Sequence, residues 1–189
     1  MRWRYTIGVL ISLGLVLAAT LVGFHLREPH WQGRSLSAWL SDLDVESSRP
    51  QAPAVAAIQG MGTNALPQLN RMLCAMDPGW KRALIGFNYR QSIFEIPITP
   101  ARVLRNRAIQ GYTALGPSAK SSVPTLIQLL ESEASAQVRS GAAAALGGIG
   151  PEAKTAVPVL ARALKDPNSE VRKESLSAIA NIQRWSPGR

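Results

Sequence analysis

Cysteine is almost missing from this chain. Cys74 is the one thiol in 189 residues, which excludes an intramolecular disulfide and every metal site built from several thiolates. Compartment stays open, because many exported proteins carry no disulfides. Histidine is nearly as scarce, and neither His25 nor His30 sits in the context of a triad or a metal ligand set. Acidic residues number 12 against 21 Lys and Arg, and they are too scattered to give a paired-carboxylate spacing. Gly147-Gly148-Ile149-Gly150 is glycine-rich but lacks the following Gly-Lys-Ser/Thr of a phosphate loop. Its glycines are expected to permit close helix packing instead. Cys74 shares a helical run with Leu69, Leu73 and Met76, so a buried thiol is expected there. These shortages predict no enzymatic activity, no metal and no cofactor.

Charge is also absent from one long stretch. Tyr5 to Leu26 holds no charged side chain and is rich in Leu, Val, Ile and Gly. As a helix it would reach roughly 33 Å at ~1.5 Å per residue, enough for a hydrocarbon core of ~30 Å. Arg2, Arg4 and the amino terminus precede it, while Arg27 beyond it is offset by Glu28. That asymmetry predicts a signal anchor with residues 1–4 in the cytoplasm and everything after residue 26 exported. The alternative is a cleaved signal peptide and a secreted domain. The best cleavage pair, Ala18 and Thr20, places a poor residue at −1, and no cysteine near the end of the run offers a lipoprotein anchor. Gly8-x-x-x-Ser12 and Gly14-x-x-x-Ala18 could bring two such helices together as a weak homodimer.

What remains is folded and basic. Apolar residues make up 46% of the chain, which argues against wholesale disorder, and the formal charge of +9 favours anionic partners without dictating a fold. Beyond the apolar run the sequence repeats itself. Leu104–Gly116 reads LRNRAIQGYTALG, followed by PSAKSSVPTLIQLLE; Val138–Gly150 reads VRSGAAAALGGIG, followed by PEAKTAVPVLARALKD. Gly116 and Gly150 lie 34 apart, as do Pro124 and Pro158, and a fixed period of this kind marks a repeat architecture. A third copy begins at Val171-Arg172 and stops before a second helix. A shorter early copy runs from Ala54 to Gly62 and on through TNALPQLNRML. Terminal copies that depart from the pattern suit the caps of a solenoid.

Each unit reads as a helical hairpin. Val138, Ala142, Leu146 and Ile149 make a helical stripe in the first helix. Gly150 stops it and Pro151 prevents its continuation. Val157, Leu160 and Leu164 line the second helix, with Pro158 in the first turn, where its missing N–H costs nothing. One hairpin cannot bury its own stripe, so neighbours must stack.

The sequence Val-Arg followed by AAxALGxIG, then AxxAVPxLxxAL and an acidic residue, resembles the short HEAT repeats of many bacterial proteins. The resemblance covers roughly residues 50–184 and is strongest over 103–183. A period of 34 also suits tetratricopeptide repeats, whose Trp-x-x-Leu-Gly start is absent here. The implied fold is all-α: an α-solenoid of HEAT-like hairpins behind one N-terminal transmembrane helix. HEAT repeats often tie adjacent units with a turn Asp and an Arg six residues later. Asp166 with Arg172 fits that pattern, and Glu133 precedes Arg139 by the same step. The resemblance thus implies that Arg105, Arg139 and Arg172 form a structural ladder rather than a grip on an anionic ligand.

Two segments depart from the repeat. In 27–49, a juxtamembrane stretch leads into SLSAWLSDL, which places Leu36, Trp39, Leu40 and Leu43 on one helical face behind Ser35 as N-cap. This reads as a helix capping the first repeat, with Trp31 either packed alongside or resting at a membrane surface. Residues 77–100 are an insert between the first two repeats. From Arg71 to Arg107 the chain holds seven Lys or Arg against Asp77 and Glu95, interleaved with Trp80, Phe87, Tyr89 and Phe94. The plainer reading is a helix held against the solenoid with its charges in water. The alternative is an anionic partner (a lipid surface, a polysaccharide or nucleic acid) bound through Lys81, Arg82, Arg90 and Arg102. Residues 185–189 are a short tail.

HEAT-like stacks line their concave face with the helix that here begins Val-Arg. The resemblance therefore points to Asn106, Arg107 and Gln110, then Ser140 and Ala144, then Lys173, Glu174, Ser177 and Asn181 as a partner-binding column. A shallow polar groove suits a protein or peptide better than a small molecule. The expected function is a protein–protein interaction scaffold on the exported side of a bacterial inner membrane, and export argues against nucleic acid as the partner. An enzymatic reading, pigment attachment as in phycobilin lyase subunits with similar repeats, has only the general repeat in its favour.

Overall fold

The computed structural model describes residues 28–44, 49–90, 98–132 and 135–184. The predicted span at 5–26, its basic tip, its paired small residues, Glu133, Phe94 and the tail at 185–189 lie outside the described residues. Among the described residues, no helix is long and apolar enough to cross a membrane.

The described chain is helical except for a small hairpin at its start, in which His30–Trp31 (β1) pairs antiparallel with Arg34–Ser35 (β2). Gln32 and Gly33 turn it, both at positive φ. Helix α1, Leu36–Ser41, follows at once. Ser35 caps it by accepting a hydrogen bond from the Ala38 N–H at 3.3 Å, and the Glu28 carboxylate takes the Ser37 N–H at 2.6 Å. Together they satisfy two amide donors that a helix start otherwise leaves open. The predicted apolar face is the buried one: Leu36, Trp39, Leu40 and Leu43 all enter the core. Burying each large side chain contributes roughly 1.5–3 kcal/mol, which is enough to hold a one-and-a-half-turn helix that would not form alone. Trp31 packs beside it. Its ring lies over Gly60, where an added Cβ would come within 2.6 Å, and its carbonyl accepts the Trp39 indole N–H at 3.1 Å.

The repeats then run as hairpins. The first pairs α2 (Gln51–Met61) with α3 (Leu66–Leu73); after an inserted helix α4 (Gly79–Arg90), the second pairs α5 (Ala101–Leu115) with α6 (Val123–Glu131). The third pairs α7 (Ala136–Ile149) with α8 (Val157–Ala163), and α9 (Ser169–Arg184) opens a fourth. The punctuation is the same each time. Gly62, Gly116 and Gly150 end the first helices with φ of 55°, 51° and 78°, a conformation that side-chain-bearing residues rarely adopt. A turn of 3-10 helix follows each glycine, and Pro67, Pro124 and Pro158 sit in the first turn of the second helices.

The core is continuous from Leu36 to Ile182. Val138, Ala142, Leu146 and Ile149 are buried as their spacing predicts, and so is Leu160. Leu164 departs from expectation. Helix α8 ends one residue before it, and the equivalent Leu130 is buried whereas Leu164 is partly exposed. The small residues of α7 set the helix spacing. A Cβ on Gly147 would stand 2.9 Å from the Ala178 backbone of α9, and one on Gly148 would stand 2.5 Å from the Thr113 hydroxyl of α5. Glycine at both positions lets α7 touch a neighbour on either side, the close packing expected of the glycine-rich run.

Candidate interaction surface

The arginine ladder is structural. Arg139 donates from Nε and a terminal nitrogen to the two carboxylate oxygens of Asp166, at 2.8 and 3.0 Å. Both side chains are largely buried. The hydrogen bonds from Arg139 hold the Asp166 carboxyl below its usual range against the opposing effect of burial. Arg172 does not use the Asp166 side chain. It donates to the backbone carbonyls of Asp166 and Pro167, at 2.8 and 2.9 Å. Arg105 makes the matching contact with the Ala75 carbonyl at 2.6 Å.

The insert closes at a narrow neck. Asp77 accepts the Ala101 N–H on both carboxylate oxygens, at 3.0 and 2.9 Å, so it satisfies the start of α5 from across the insert. It also pairs with Lys81 at 2.8 Å. Burial works to raise its pKa, but the Lys81 and Ala101 contacts hold it below the usual carboxylate range. Asp77 therefore belongs to the junction between repeats rather than to the insert.

The predicted partner-binding residues divide into three groups. At the N-terminal end, Arg107 forms a bidentate pair with Asp44, its shortest contact 2.6 Å. Gln110 donates to the Leu43 carbonyl at 3.1 Å. The turn after α1 thus occupies this end of the column, leaving Asn106 exposed beside it. In the middle, Ser140 and Ala144 are half-buried, and the Ser140 hydroxyl donates to the Gln137 carbonyl within its own helix. On α9, Lys173, Ser177 and Asn181 are exposed. Glu174 is half-buried beside Lys173, and burial pushes its carboxyl up. Leu176, which the sequence reading did not single out, is 62% exposed on the same helix, while the equivalent Ala143 is fully buried. The alignment could have found it, since α9 has no described repeat after it.

Of the basic candidates, Lys81 is tied to Asp77, and Arg82, Arg90 and Arg102 are exposed with no acidic partner among the described residues. Cys74 corrects an expectation. It is exposed, because α3 ends at Leu73 and the thiol belongs to the cap. His30 is exposed in the hairpin, with Nδ1 2.7 Å from the Glu28 carbonyl oxygen. Among the described residues, no group of three His, Cys, Asp or Glu could hold a metal ion. An open cleft of about 340 Å³ lies between α6 and α8, lined in part by Val159, Arg162 and Asp166. Arg162 and Glu131 pair within it, and it has none of the enclosure that a small ligand needs.

Comparison with known proteins agrees with this geometry. The family model for HEAT repeats matches residues 99–187, which takes in α5 through α9. HEAT repeats generally mediate protein–protein interaction. No curated protein matches the chain.

Proposed function

We propose that this chain is an interaction scaffold, held at a bacterial cytoplasmic membrane by residues 5–26 and presenting its HEAT repeats to a protein or peptide on the exported side. The anchor reading rests on the uncharged run and the arginines before it. The binding reading rests on one observation above all. Lys173, Ser177 and Asn181 stand exposed along the last Val-Arg helix, and Ala144, Ser140 and Asn106 hold positions that the repeat aligns with them. The column is carried on helices packed at glycine distance, a rigid base for a site. Polar side chains spaced along such a groove recognise an extended or helical peptide by hydrogen bonding, with Leu176 as an apolar contact at its edge.

The test is a photo-crosslinking amino acid placed in cells at Ser177, at Asn181 and, as a control outside the groove, at exposed Thr155. The two groove positions are expected to give adducts to one polypeptide, lost when Lys173→Glu and Asn181→Arg are combined. The same adducts from Thr155, or none from either groove position, would remove the groove from the account.

A further inference from the structure

Helix α4 is the one repeat-region helix that does not enter the core. None of its residues with a described side chain is buried, and a Cβ added at Gly79 or Gly86 would meet nothing within 4 Å. In the chain it lies between the two sides of the neck, Asp77 and Ala101. One exposed face of it is apolar. Trp80, Ala83 and Phe87 follow the i, i+3, i+7 spacing of one helical face, with Trp80 69% and Phe87 48% exposed. Met76, just before the helix, is 59% exposed. Helix α4 contains no acidic residue. Arg90 continues the exposed face by one turn, and Arg82 projects elsewhere on the same helix; neither has an acidic partner among the described residues.

A short helix with exposed Trp and Phe on one side and unspent arginines around them has the makings of an interfacial helix. It can lie in a bilayer surface with its apolar face ~5–10 Å deep and its guanidinium groups among lipid phosphates. We propose that α4 docks on an anionic phospholipid surface, so that the chain grips the membrane a second time and the solenoid is held in a fixed orientation over it. The charge complementarity is one-signed, because the helix carries Lys81, Arg82 and Arg90 and no carboxylate. Nucleic acid would use the same cations, but three cations on one short helix do not make a groove that tracks a backbone. The proposal draws on the anchor reading for proximity to a bilayer and on nothing else.

The test uses the full chain with Cys74→Ser and Ala83→Cys, carrying an environment-sensitive fluorophore at the new thiol. A second sample carries it at Thr155→Cys. Each is mixed with phosphatidylcholine vesicles, with vesicles containing about one-third phosphatidylglycerol, and with single-stranded DNA, and vesicle flotation is read alongside. The expected result is a blue shift at position 83 with the anionic vesicles alone. It should be reversed in about 1 M salt, where the screening length falls to about 3 Å, and be absent at position 155. Arg82→Glu and Arg90→Glu should each weaken the docked state by about fivefold or more, and Trp80→Ser with Phe87→Ser should abolish it while circular dichroism stays unchanged. Flotation separates the two readings. A chain that floats with neutral vesicles but shows no shift at 83 on anionic ones keeps the anchor and overturns the docking. A chain that floats only with anionic vesicles, with the shift present, keeps the docking and overturns the anchor. A shift with DNA and none with anionic vesicles overturns the proposal in favour of nucleic acid.

Discussion

At the last junction of the stack, Arg172 reaches back six residues to the carbonyl of Asp166. At the first, Arg105 reaches back thirty to the carbonyl of Ala75. Pro67 and Pro158 put the two repeats in register, and in that register Ala75 and Asp166 are the same position. One junction is continuous and the other carries an inserted helix, yet both arginines hold the same point of the backbone. The supports differ. The continuous junction adds the Arg139–Asp166 pair, whereas the interrupted one substitutes Asp77 on the Ala101 N–H and the buried Tyr112 hydroxyl donating to Asn70 at 2.6 Å. An insert is tolerated where the neck beneath it is closed by contacts that do not depend on it.

That comparison can be broken at several points. The largest effect is expected from Gly147→Val, which drives a branched side chain into the Ala178 backbone 2.9 Å away. It should cost about 3 kcal/mol and detach α9 first, read as loss of hydrogen-exchange protection over 169–184. Arg139→Ala leaves the largely buried Asp166 carboxylate without its main partner and should cost about 2 kcal/mol in denaturant unfolding. The same pair sets an acid limit. Because the folded carboxyl is held below its ordinary value of 3.8, its contribution is full above that value and is lost as pH falls through the depressed one. Melting temperature should therefore drop on the acid side less steeply in Arg139→Ala than in the parent chain.

Arg105→Ala and Arg172→Ala sharpen the comparison directly. Each removes charge-assisted bonds to backbone carbonyls, but Arg172 is exposed and Arg105 is half-buried. About 1.5 kcal/mol is expected for Arg105 and about 0.5 kcal/mol for Arg172, both by urea titration. Equal losses would mean that the interrupted junction leans on its arginine no more than the continuous one. The smallest effect has the opposite sign. Ser175 is fully buried in α9 with no hydrogen-bond partner for its hydroxyl among the described residues, where the equivalent positions hold Ala108 and Ala142. Ser175→Ala should stabilise by about 0.5 kcal/mol, seen as a small rise in the urea midpoint.

Much of this was legible in the sequence because it is local. Glycine after each first helix and proline in each second one mark helix ends within a few residues, and a 34-residue period carries the register from Gly116 to Gly150. The face of Leu36, Trp39, Leu40 and Leu43 follows from helical spacing alone. What escaped is long-range. Nothing near Arg107 or Gln110 announces that Asp44 and Leu43, more than sixty residues earlier, occupy them. Two residues of the predicted column, Arg107 and Gln110, are thereby placed against the chain's own cap. Asp77 looked like part of a charged insert because its partner amide lies 24 residues away. Cys74 was misjudged by a single residue at a helix end, where boundaries are least legible.

The scaffold reading stands or falls on which side of the membrane the repeats occupy. A reporter active only outside the cytoplasm, fused after Arg189, tests this most directly, with the size and membrane association of the chain read from the same cells. An active reporter on a full-length, membrane-bound chain is the expected result, and it sends the search for a partner outside the cytoplasm. An inactive reporter on the same membrane-bound chain would contradict it, placing the repeats and the arginines of α4 on the cytoplasmic side.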